Sequence, residues 1–319
     1  MKKYIVTGGA GFIGSNIVEA LVKRGEIVVV VDDFSTGSSE NLKNMKDHIE
    51  IVNGSIENLE LLKKTFQDVK CIFHEAAMRS IPRSIKDPIG SAQTNILGTL
   101  NVLVAARDCD VEKVVYASSS SSYGAQEGQE ARVETLPAKP LSPYALSKYT
   151  AEEYCRIFHE IYGLTTVSLR YFNVFGPKQD PASEYAAVIP KFIAAALNHT
   201  EAEIHGDGTQ SRDFTYIDNV VHANLLAGDA PNEKVAGQMF NIACNETVSL
   251  KTVWESIEAI TKMEIKKKFT PTRAGDMPFS LADISKAKKT FGYTPIVPFK
   301  EGLKRTIEWY QKGVKGFSE

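Results

Sequence analysis

Residues 2–32 read KKYIVTGGAGFIGSNIVEALVKRGEIVVVVD, and three patterns follow one another along this stretch. Residues 3–7 form a short apolar, β-branched run, which predicts a strand. After a glycine-rich turn, apolar residues recur at helical spacing until Gly25, which favours a helix that ends there. Residues 27–32 are apolar almost throughout, as expected of a strand covered on both faces in a parallel sheet. The stretch therefore predicts a βαβ unit.

Three glycines, Gly8, Gly11 and Gly14, lie in the predicted turn between strand and helix. Without side chains they let the backbone approach a pyrophosphate and direct the helix N-terminus at it. Their GxxGxxG spacing is one residue wider at the first gap than the usual dinucleotide fingerprint. Glycines also serve tight turns that bind nothing, but the strand–turn–helix context favours a dinucleotide cofactor.

Asp32 follows the third glycine by 18 residues and ends the second predicted strand. A carboxylate there can accept hydrogen bonds from the adenosine ribose hydroxyls, and it would repel a 2′-phosphate. Asp33 adds to that repulsion, so the cofactor expected is NAD rather than NADP. The alternative is that Asp32 only caps a turn.

Further strand and helix patterns alternate along the chain, which predicts an α/β fold with a doubly wound parallel sheet and a smaller C-terminal α/β domain. The segments are 49–55, 57–67, 71–77, 88–107 and 113–119. In such sheets the carboxyl ends of the strands face a ligand crevice. The residues expected to line it are Ser55, Ile56, Ala76, Ala77, Arg79 and those from Ser118 onward.

The composition is that of an ordinary globular protein. The 319 residues include 37 basic and 39 acidic side chains, so bulk charge indicates neither a nucleic-acid nor a membrane partner. Four cysteines are scattered without CxxC spacing, so we expect reduced thiols, no metal site and a cytoplasmic location. No apolar run is long enough for a signal peptide or a membrane span.

Residues 117–124 read ASSSSSYG, which is either a solvated spacer or a place where a hydroxyl does chemistry. The run begins at a predicted strand end, beside the expected crevice. Further on, Ser142 and Pro143 start a helix that Gly163 ends. Tyr144 and Lys148 share one face of that helix, a spacing that packing alone often produces.

The segments TGGAGFIGS and YALSK and the serine-rich strand end resemble the extended short-chain dehydrogenase/reductase superfamily. The resemblance covers nearly the whole chain. HEAAMRSIPRSIKDP, SPYALSKY, LRYFNVFGPKQDP, YAAVIPKF, GDGTQSRDFTYIDN and RAGDMPFSLADISKA are similar to segments of the UDP-sugar 4-epimerases, most of all those acting on UDP-N-acetylglucosamine and UDP-N-acetylgalactosamine.

The resemblance implies a catalytic set of Ser119, Tyr144 and Lys148. Tyr144 would take the proton of the sugar 4-hydroxyl while the carbon-bound hydride passes to NAD. A free phenol titrates near pH 10, and the Lys148 ammonium with the positive nicotinamide ring is expected to lower the pKa of Tyr144. Ser119 would hydrogen-bond the reacting oxygen.

The resemblance also extends the two binding sites. Further NAD contacts are implied at Phe12, Ile13, Ser35, Thr36, Gly37, Thr94, Tyr171 and Phe172. The family commonly has Asp where this chain has Ser55, which leaves an adenine contact of Ser55 open. UDP-sugar contacts are implied at Arg79, Ser80, Ser120, Ser121, Asn173, Ala187, Val188, His205, Arg212, Arg273, Asp276 and Ser280. Turn hydroxyls at Ser120 and Ser121 and surface ion pairs at the two arginines are the alternatives.

Two features narrow the implied reaction. Related dehydratases carry an Asp–Glu pair, and related decarboxylases a Glu, where this chain has Ser120 and Ser121. By resemblance, Ser280 stands where glucose-restricted epimerases carry a bulky aromatic side chain, and a small side chain there leaves room for an N-acetyl group without excluding the smaller sugar. We therefore expect reversible 4-epimerisation of UDP-GlcNAc/UDP-GalNAc and also of UDP-Glc/UDP-Gal. A dehydratase, decarboxylase or net oxidoreductase and a non-catalytic NAD-binding regulator remain as alternatives.

The division predicted is residues 1–173 for the NAD-binding domain, with later segments returning to it, and 174–319 mainly for the UDP sugar. Phe299, Leu303, Ile307 and Tyr310 recur at helical spacing and predict an amphipathic C-terminal helix. By resemblance, helices over 88–107 and 142–162 would pack against their mates in a homodimer.

Overall fold

A computed structural model describes residues 2–126, 128, 130–181, 187–272 and 279–314. Its centre is a seven-stranded parallel sheet in the order β11-β6-β5-β4-β1-β2-β3. These strands are β1 (Lys3–Thr7), β2 (Ile27–Asp32), β3 (Ile49–Asn53), β4 (Cys71–His74), β5 (Lys113–Ser119), β6 (Thr166–Tyr171) and β11 (Gln238–Ile242).

Helices cover both faces of this sheet, and each face has its own apolar core. Alternate residues of one strand serve opposite cores: Val6 packs in one and Ile5 in the other, and both are fully buried. The helices are α1 (Phe12–Lys23), α2 (Leu59–Thr65), α3 (Ile81–Lys86), α4 (Pro88–Ala92), α5 (Thr99–Asp108), α6 (Pro143–Tyr162), α7 (Val188–Leu197), α8 (Ile217–Asp229), α9 (Asn232–Val235), α10 (Leu250–Thr261), α11 (Ser285–Phe291) and α12 (Phe299–Val314). Among these described helices, none combines the length and apolarity that crossing a bilayer requires.

The second half of the chain adds three small two-stranded sheets beside the large one. Their strands are β7 (Val174–Phe175), β8 (Glu201–His205), β9 (Ser211–Arg212), β10 (Thr215–Tyr216), β12 (Val248–Ser249) and β13 (Lys266–Thr270). The edge strand β11 of the large sheet also comes from this half. The predicted α/β class and doubly wound sheet are confirmed, whereas the domain boundary at residue 173 stays a prediction.

The strands and helices predicted before residue 163 are all present, with ends that differ by a few residues. One difference is instructive. The helix predicted over 88–107 contains a π-helical turn, Gln93–Gly98, between α4 and α5. Inside it, the Asn95 side chain pairs with the Met78 backbone, accepting from its N–H at 2.7 Å and donating to its carbonyl at 3.1 Å. Such turns occur where a helix is adjusted for a specific contact, which hydrophobic periodicity does not reveal.

The amphipathic C-terminal helix is confirmed as α12. Phe299, Leu303, Ile307 and Tyr310 are all buried on its inner face. Phe299 lies against Phe175 of β7, with ring centres 5.6 Å apart. The last helix therefore closes the core of the second half.

Candidate active site

The strand order reverses at β1, because the chain adds β2 and β3 on one side of it and then returns to add β4 and β5 on the other. Ligands of open α/β sheets bind at this switch point, outside the carboxyl ends of the strands. A cavity of about 1020 Å³ lies there. Asp32 and Ser55 line it on the β2–β3 side, and Tyr144, Lys148 and Tyr171 line it on the β4–β6 side.

The glycine turn forms one wall of the cavity. Gly8 has a φ of +68°, and a Cβ atom added to Gly14 would lie 2.2 Å from the Gly8 carbonyl oxygen. Only glycine fits both positions. Gly11 precedes α1 and offers no side-chain cap, so the N–H groups of the first helical turn remain available to an anion.

Asp32 is nearly buried at the end of β2, and its carboxylate organises the surrounding loops. One oxygen accepts a hydrogen bond from the Ala10 N–H and the other from the Phe34 N–H, both at 2.8 Å. Burial raises the pKa of Asp32, and these two bonds oppose the rise. The turn-capping alternative is thus observed. It does not compete with ligand binding, because an ionised carboxylate has about four acceptor positions.

Helix α6 brings Tyr144 and Lys148 to the other end of the cavity. The Ser142 hydroxyl caps this helix by accepting from the Ala145 N–H at 3.1 Å, as predicted. The Lys148 ammonium donates to the Ala117 carbonyl at 2.8 Å. Burial lowers the pKa of Lys148 to about 8, although the charge of Glu75 opposes this shift.

The lowering of the Tyr144 pKa by Lys148 together with the nicotinamide ring stays a prediction. Burial raises the pKa of Tyr144, because an apolar environment penalises phenolate. Hydrogen bonding with Ser119 and the charge of Arg79 lower it, and the charge of Glu75 raises it. The Lys148 ammonium donates its hydrogen bond to the Ala117 carbonyl, so lowering the pKa of the phenol needs a further positive charge.

The serine run is an ordered turn, so the spacer alternative is wrong. Ser118 and Ser119 complete β5, and a 3₁₀ turn, Ser120–Tyr123, follows. The Ser121 hydroxyl donates to the Ser119 hydroxyl at 2.9 Å. Since Ser119 in turn acts on Tyr144, the run supplies a chain of hydroxyls that leads to the phenol.

A buried ion pair between Glu152 and Arg170 contacts Ser118, which directly precedes the last residue of β5. The Ser118 hydroxyl donates to a Glu152 carboxylate oxygen at 2.7 Å. Arg170 binds the same carboxylate through two nitrogens, at 2.9 and 2.6 Å. Bidentate geometry of this kind fixes direction as well as distance, so the end of β5 is held firmly.

The predicted cofactor residues converge on the cavity with one exception. Those that line it are Gly8, Gly11, Phe12, Ile13, Gly14, Asp32, Asp33, Ser35, Thr36, Gly37, Ser55, Ile56, Ala76, Ala77, Arg79, Thr94, Ser118, Tyr144, Lys148 and Tyr171. Phe172 does not line it: the side chain is 1% exposed and packs in the core, 6.2 Å from the Tyr123 ring. Phe172 follows the last residue of β6 and continues its pairing by donating to the Ile242 carbonyl at 3.1 Å, so its side chain points to the side opposite that of Tyr171.

The predicted substrate residues form a second cluster, which we define as Asn173, Arg212, Ser280 and the segment 211–213 that connects them. The Asn173 amide donates to the Asp213 carbonyl at 3.1 Å, and the Ser280 N–H donates to the Ser211 carbonyl at 3.2 Å. Arg212 belongs to β9 and pairs with Val248.

The other predicted substrate residues lie in several places. His205 ends β8, and its ring pairs with the Thr270 hydroxyl at 2.8 Å. Ala187 and Val188 begin α7, and Ser80 caps α3 by accepting from the Arg83 N–H at 3.3 Å. Arg273 and Asp276 lie outside the described residues.

Sequence reasoning did not assign four charged residues that line the cavity, namely Glu75, Arg83, Lys178 and Asp180. Glu75 follows β4 directly, so its place at a strand end was the available signal. Lys178 pairs with Glu19 of α1 at 3.0 Å, and nothing in the local pattern indicates this contact. In the described part of the chain, no three His, Cys, Asp or Glu side chains are grouped as a metal site requires.

A model described as the NAD-dependent epimerase/dehydratase family matches residues 4–243. The chain belongs to this family. A UDP-glucose 4-epimerase of Mycolicibacterium smegmatis is 35% identical over 96% of this chain and 98% of its own length. A UDP-N-acetyl-α-D-glucosaminuronate decarboxylase of Bacillus cytotoxicus is 34% identical over 98% of each chain. Two relatives with similar sequence identity to this chain are therefore named for different activities.

Solved structures agree on the fold. A UDP-N-acetylglucosamine 4-epimerase from Methanobrevibacter ruminantium, in complex with UDP-N-acetylmuramic acid, has a TM-score of 0.92 and 38% identity, covering 98% of both chains. A UDP-glucuronic acid 4-epimerase from Bacillus cereus, in complex with UDP-glucuronic acid and NAD, has a TM-score of 0.89 and 32% identity, covering 97% of this chain and 99% of its own. The resemblance found in the sequence is confirmed.

The cofactor of this NAD-dependent family fits the cavity. Its glycine wall leaves space that a Cβ atom would fill, the α1 N-terminus offers N–H groups to a pyrophosphate, and Asp32 presents a carboxylate where a ribose is expected. NAD was the cofactor predicted, and the donor set supports it.

Proposed function

We propose that the protein interconverts UDP-hexoses by epimerisation at carbon 4. The observation that carries this proposal is the arrangement at the β4–β6 end of the cofactor cavity. Tyr144 and Lys148 line that end, and the Ser121–Ser119 hydroxyl chain leads to Tyr144. The hydroxyls of Ser120 and Ser121 occupy the positions at which related dehydratases and decarboxylases carry carboxylates.

Tyr144 is the proposed proton acceptor for the sugar 4-hydroxyl. When bound, NAD supplies a reversible acceptor for the hydrogen on carbon 4 with its electron pair, and a positive charge beside the phenol. Tyr144 takes the hydroxyl proton in one direction and returns it in the other, so the phenol is unchanged after a full cycle. The Ser119 hydroxyl donates to the oxygen on carbon 4 and holds the substrate within reach of the phenol.

The second cluster is the proposed anchor for UDP. Epimerisation requires that a 4-keto sugar turns over while its nucleotide stays fixed, so binding must be concentrated on the diphosphate and uracil. Arg212 is suited to bidentate contact with a diphosphate. The Asn173–Asp213 and Ser280–Ser211 hydrogen bonds hold the segment that carries this arginine. Arg273 is proposed as a second phosphate contact.

We propose that both N-acetylated and simple UDP-hexoses are substrates. Ser280 is half-buried at the edge of the second cluster, and its small side chain leaves space for an acyl group. The similarity to an epimerase named for UDP-N-acetylglucosamine and to one named for UDP-glucose supports this breadth.

A second candidate is decarboxylation of a UDP-uronic acid, which the Bacillus cytotoxicus relative favours. The hydroxyls of Ser120 and Ser121 count against it, because neither can serve as the carboxylate that the related decarboxylases carry. Substrate and product analysis separates the two reactions.

We further propose a homodimer. Three large apolar side chains on the outer side of the α4–α6 region are exposed: Ile89 by 71%, Leu97 by 54% and Leu146 by 51%. Apolar groups clustered on neighbouring helices favour burial against a partner. The four cysteines are free thiols, which supports the proposed cytoplasmic location.

The test is a substrate panel. Purified protein is incubated separately with UDP-GlcNAc, UDP-glucose and UDP-glucuronic acid without added reductant, and products are resolved by chromatography. We expect the galacto isomers of the first two and no lasting absorbance of reduced nicotinamide. Release of carbon dioxide, a deoxy-keto product or no turnover of any UDP sugar would contradict the proposal.

A further inference from the structure

Glu75 is a partly buried carboxyl in the cofactor cavity that the proposed chemistry does not use. It follows β4, and its N–H donates to the Thr7 carbonyl at 3.1 Å, so its backbone extends the strand pairing. It lines the cavity together with Tyr144 and Lys148. A carboxyl is rarely placed in such an environment without a compensating partner.

Its position is fixed from the protein side. The Tyr171 hydroxyl donates to a Glu75 carboxylate oxygen at 2.8 Å. The same hydroxyl accepts from the Asn224 amide N–H at 2.8 Å, and that amide also donates to the Val220 carbonyl at 2.9 Å. Three elements, β4, β6 and α8, therefore hold one carboxylate oxygen.

The groups that face Glu75 come from the elements packed around it. They are Tyr144 and Lys148 of α6, Tyr116 of β5 and Tyr171 of β6, with Arg79 acting on the same phenol of Tyr144. Lys148 is the cation whose charge acts on Glu75. The two side chains do not share a hydrogen bond, since Lys148 donates to the Ala117 carbonyl and Glu75 accepts from Tyr171.

Each of the two groups opposes the effect of burial on the other. Burial raises the pKa of Glu75 to about 7, and the Lys148 charge lowers it. Burial lowers the pKa of Lys148 to about 8, and the Glu75 charge raises it. Between these two values both groups are ionised. Without the carboxylate, the effect of burial on the lysine would be opposed less, and the lysine would lose its proton at a lower pH.

We propose that Glu75 is the counter-ion of Lys148 across the cavity and keeps this amine protonated at the pH where the Tyr144–Lys148 pair works. Glu75 is a positioning residue: it acts through Lys148 and not on the substrate. The inference rests on the proposed function for the role of Lys148, but the ionisation of Lys148 can be measured without turnover.

The test compares the wild type with Glu75→Gln, which keeps the size and the Tyr171 hydrogen bond and removes the charge. Each purified protein receives a short pulse of acetic anhydride between about pH 6 and about pH 10, a range that spans lysine titration. Acetylation of Lys148 is measured by peptide mass spectrometry relative to exposed Lys43. We expect the midpoint for Lys148 to fall by about one pH unit in Glu75→Gln.

Two further variants serve as comparisons. Tyr171→Phe keeps the carboxylate but removes its donor, so the Lys148 midpoint falls by a smaller amount in the same direction. Glu57→Gln removes a carboxylate that binds Thr94 beside Ser55, and the midpoint stays at the wild-type value. Thermal unfolding establishes that each variant is folded, and Tyr171→Phe carries the test if Glu75→Gln does not fold.

The alkaline limb of the pH profile for epimerisation is the second readout, and it moves with the midpoint. An unchanged Lys148 midpoint in the folded variants overturns the inference, even if turnover is lost. A shifted midpoint in a protein that turns over no UDP sugar sustains the Glu75–Lys148 coupling and contradicts only the proposed function.

Discussion

The cofactor cavity and the second cluster are built in different ways. The cavity takes its shape from backbone: a glycine turn, the ends of neighbouring parallel strands and the start of α1. The second cluster depends on two-residue strands and single hydrogen bonds between segments far apart in sequence, such as Ser280 with Ser211. A site built from backbone can be predicted from local sequence patterns. A site assembled from side chains that are remote in sequence can be recognised only in the complete tertiary structure.

The largest effect is expected at the cavity end nearest the chemistry. Tyr144→Phe removes the proposed proton acceptor and keeps the ring, so turnover should fall about a thousandfold, within the usual range for a general base. Bound NAD, measured after denaturation, should be retained. Tyr149→Phe on the same helix is the control, because Tyr149 does not line the cavity. Equal loss in both variants would mean that the helix, not the phenol, matters.

A smaller but still large effect is expected in the glycine wall. In Gly14→Ala the new Cβ would lie 2.2 Å from the Gly8 carbonyl, so the turn must shift and NAD should be lost on purification. Gly313→Ala is the matched control: Gly313 also lines the cavity, but an added Cβ meets nothing within 4 Å. Equal NAD content in the two variants would refute a backbone-built site.

The second cluster should respond selectively. Ser280→Tyr fills the space assigned to the acyl group, so kcat/KM for UDP-GlcNAc should fall about tenfold to a hundredfold, and that for UDP-glucose about twofold or less. Ser280→Ala should leave the ratio of the two substrates unchanged. Parallel losses on both substrates would argue against Ser280 as a determinant of sugar size.

The smallest expected effect is on the pH dependence of stability, and it compares one buried titratable group from each region. In the sheet below the cavity, burial lowers the pKa of His74 to about 3. In the second cluster, burial raises the pKa of Asp213 to about 7. His74 therefore contributes stability that is lost as pH falls below about 6.5, and Asp213 contributes stability that is lost as pH rises above about 4.

Urea unfolding across that pH range checks this contrast with His74→Gln and Asp213→Asn. As pH falls, the free energy of unfolding of the wild type should decrease relative to His74→Gln and increase relative to Asp213→Asn. The slopes should reach at most about 1.4 kcal/mol per pH unit. Slopes of the same sign would mean that one of the two ionisation states is misassigned.

The sequence predicted much of the fold because its signals are local. Strand β1, the glycine turn and the Ser142 cap each depend on residues within a few positions. The π-helical turn at Gln93–Gly98 escaped prediction because a distant contact, Asn95 with the Met78 backbone, accompanies it. The side chain of Phe172 lies outside the cavity, which the motif could not show, because a motif specifies a position in the sequence but not the direction of a side chain.

The electrostatics of the site escaped prediction for a related reason. Proximity of Tyr144 and Lys148 on one helix face suggested a lowered phenol pKa, but desolvation is the larger influence and depends on everything packed around the pair. Glu75 was not predicted as a site residue because its partner Tyr171, and the Asn224 amide that binds Tyr171, come from other parts of the chain.

The most direct test of the account follows the hydrogen on sugar carbon 4. UDP-GlcNAc that carries deuterium at carbon 4 is incubated with the purified protein in ordinary water, and the product is analysed by NMR and mass spectrometry. We predict that UDP-GalNAc forms with the deuterium still on carbon 4, because the hydrogen leaves and returns within one closed cavity. Inversion with loss of deuterium to the solvent would contradict the account.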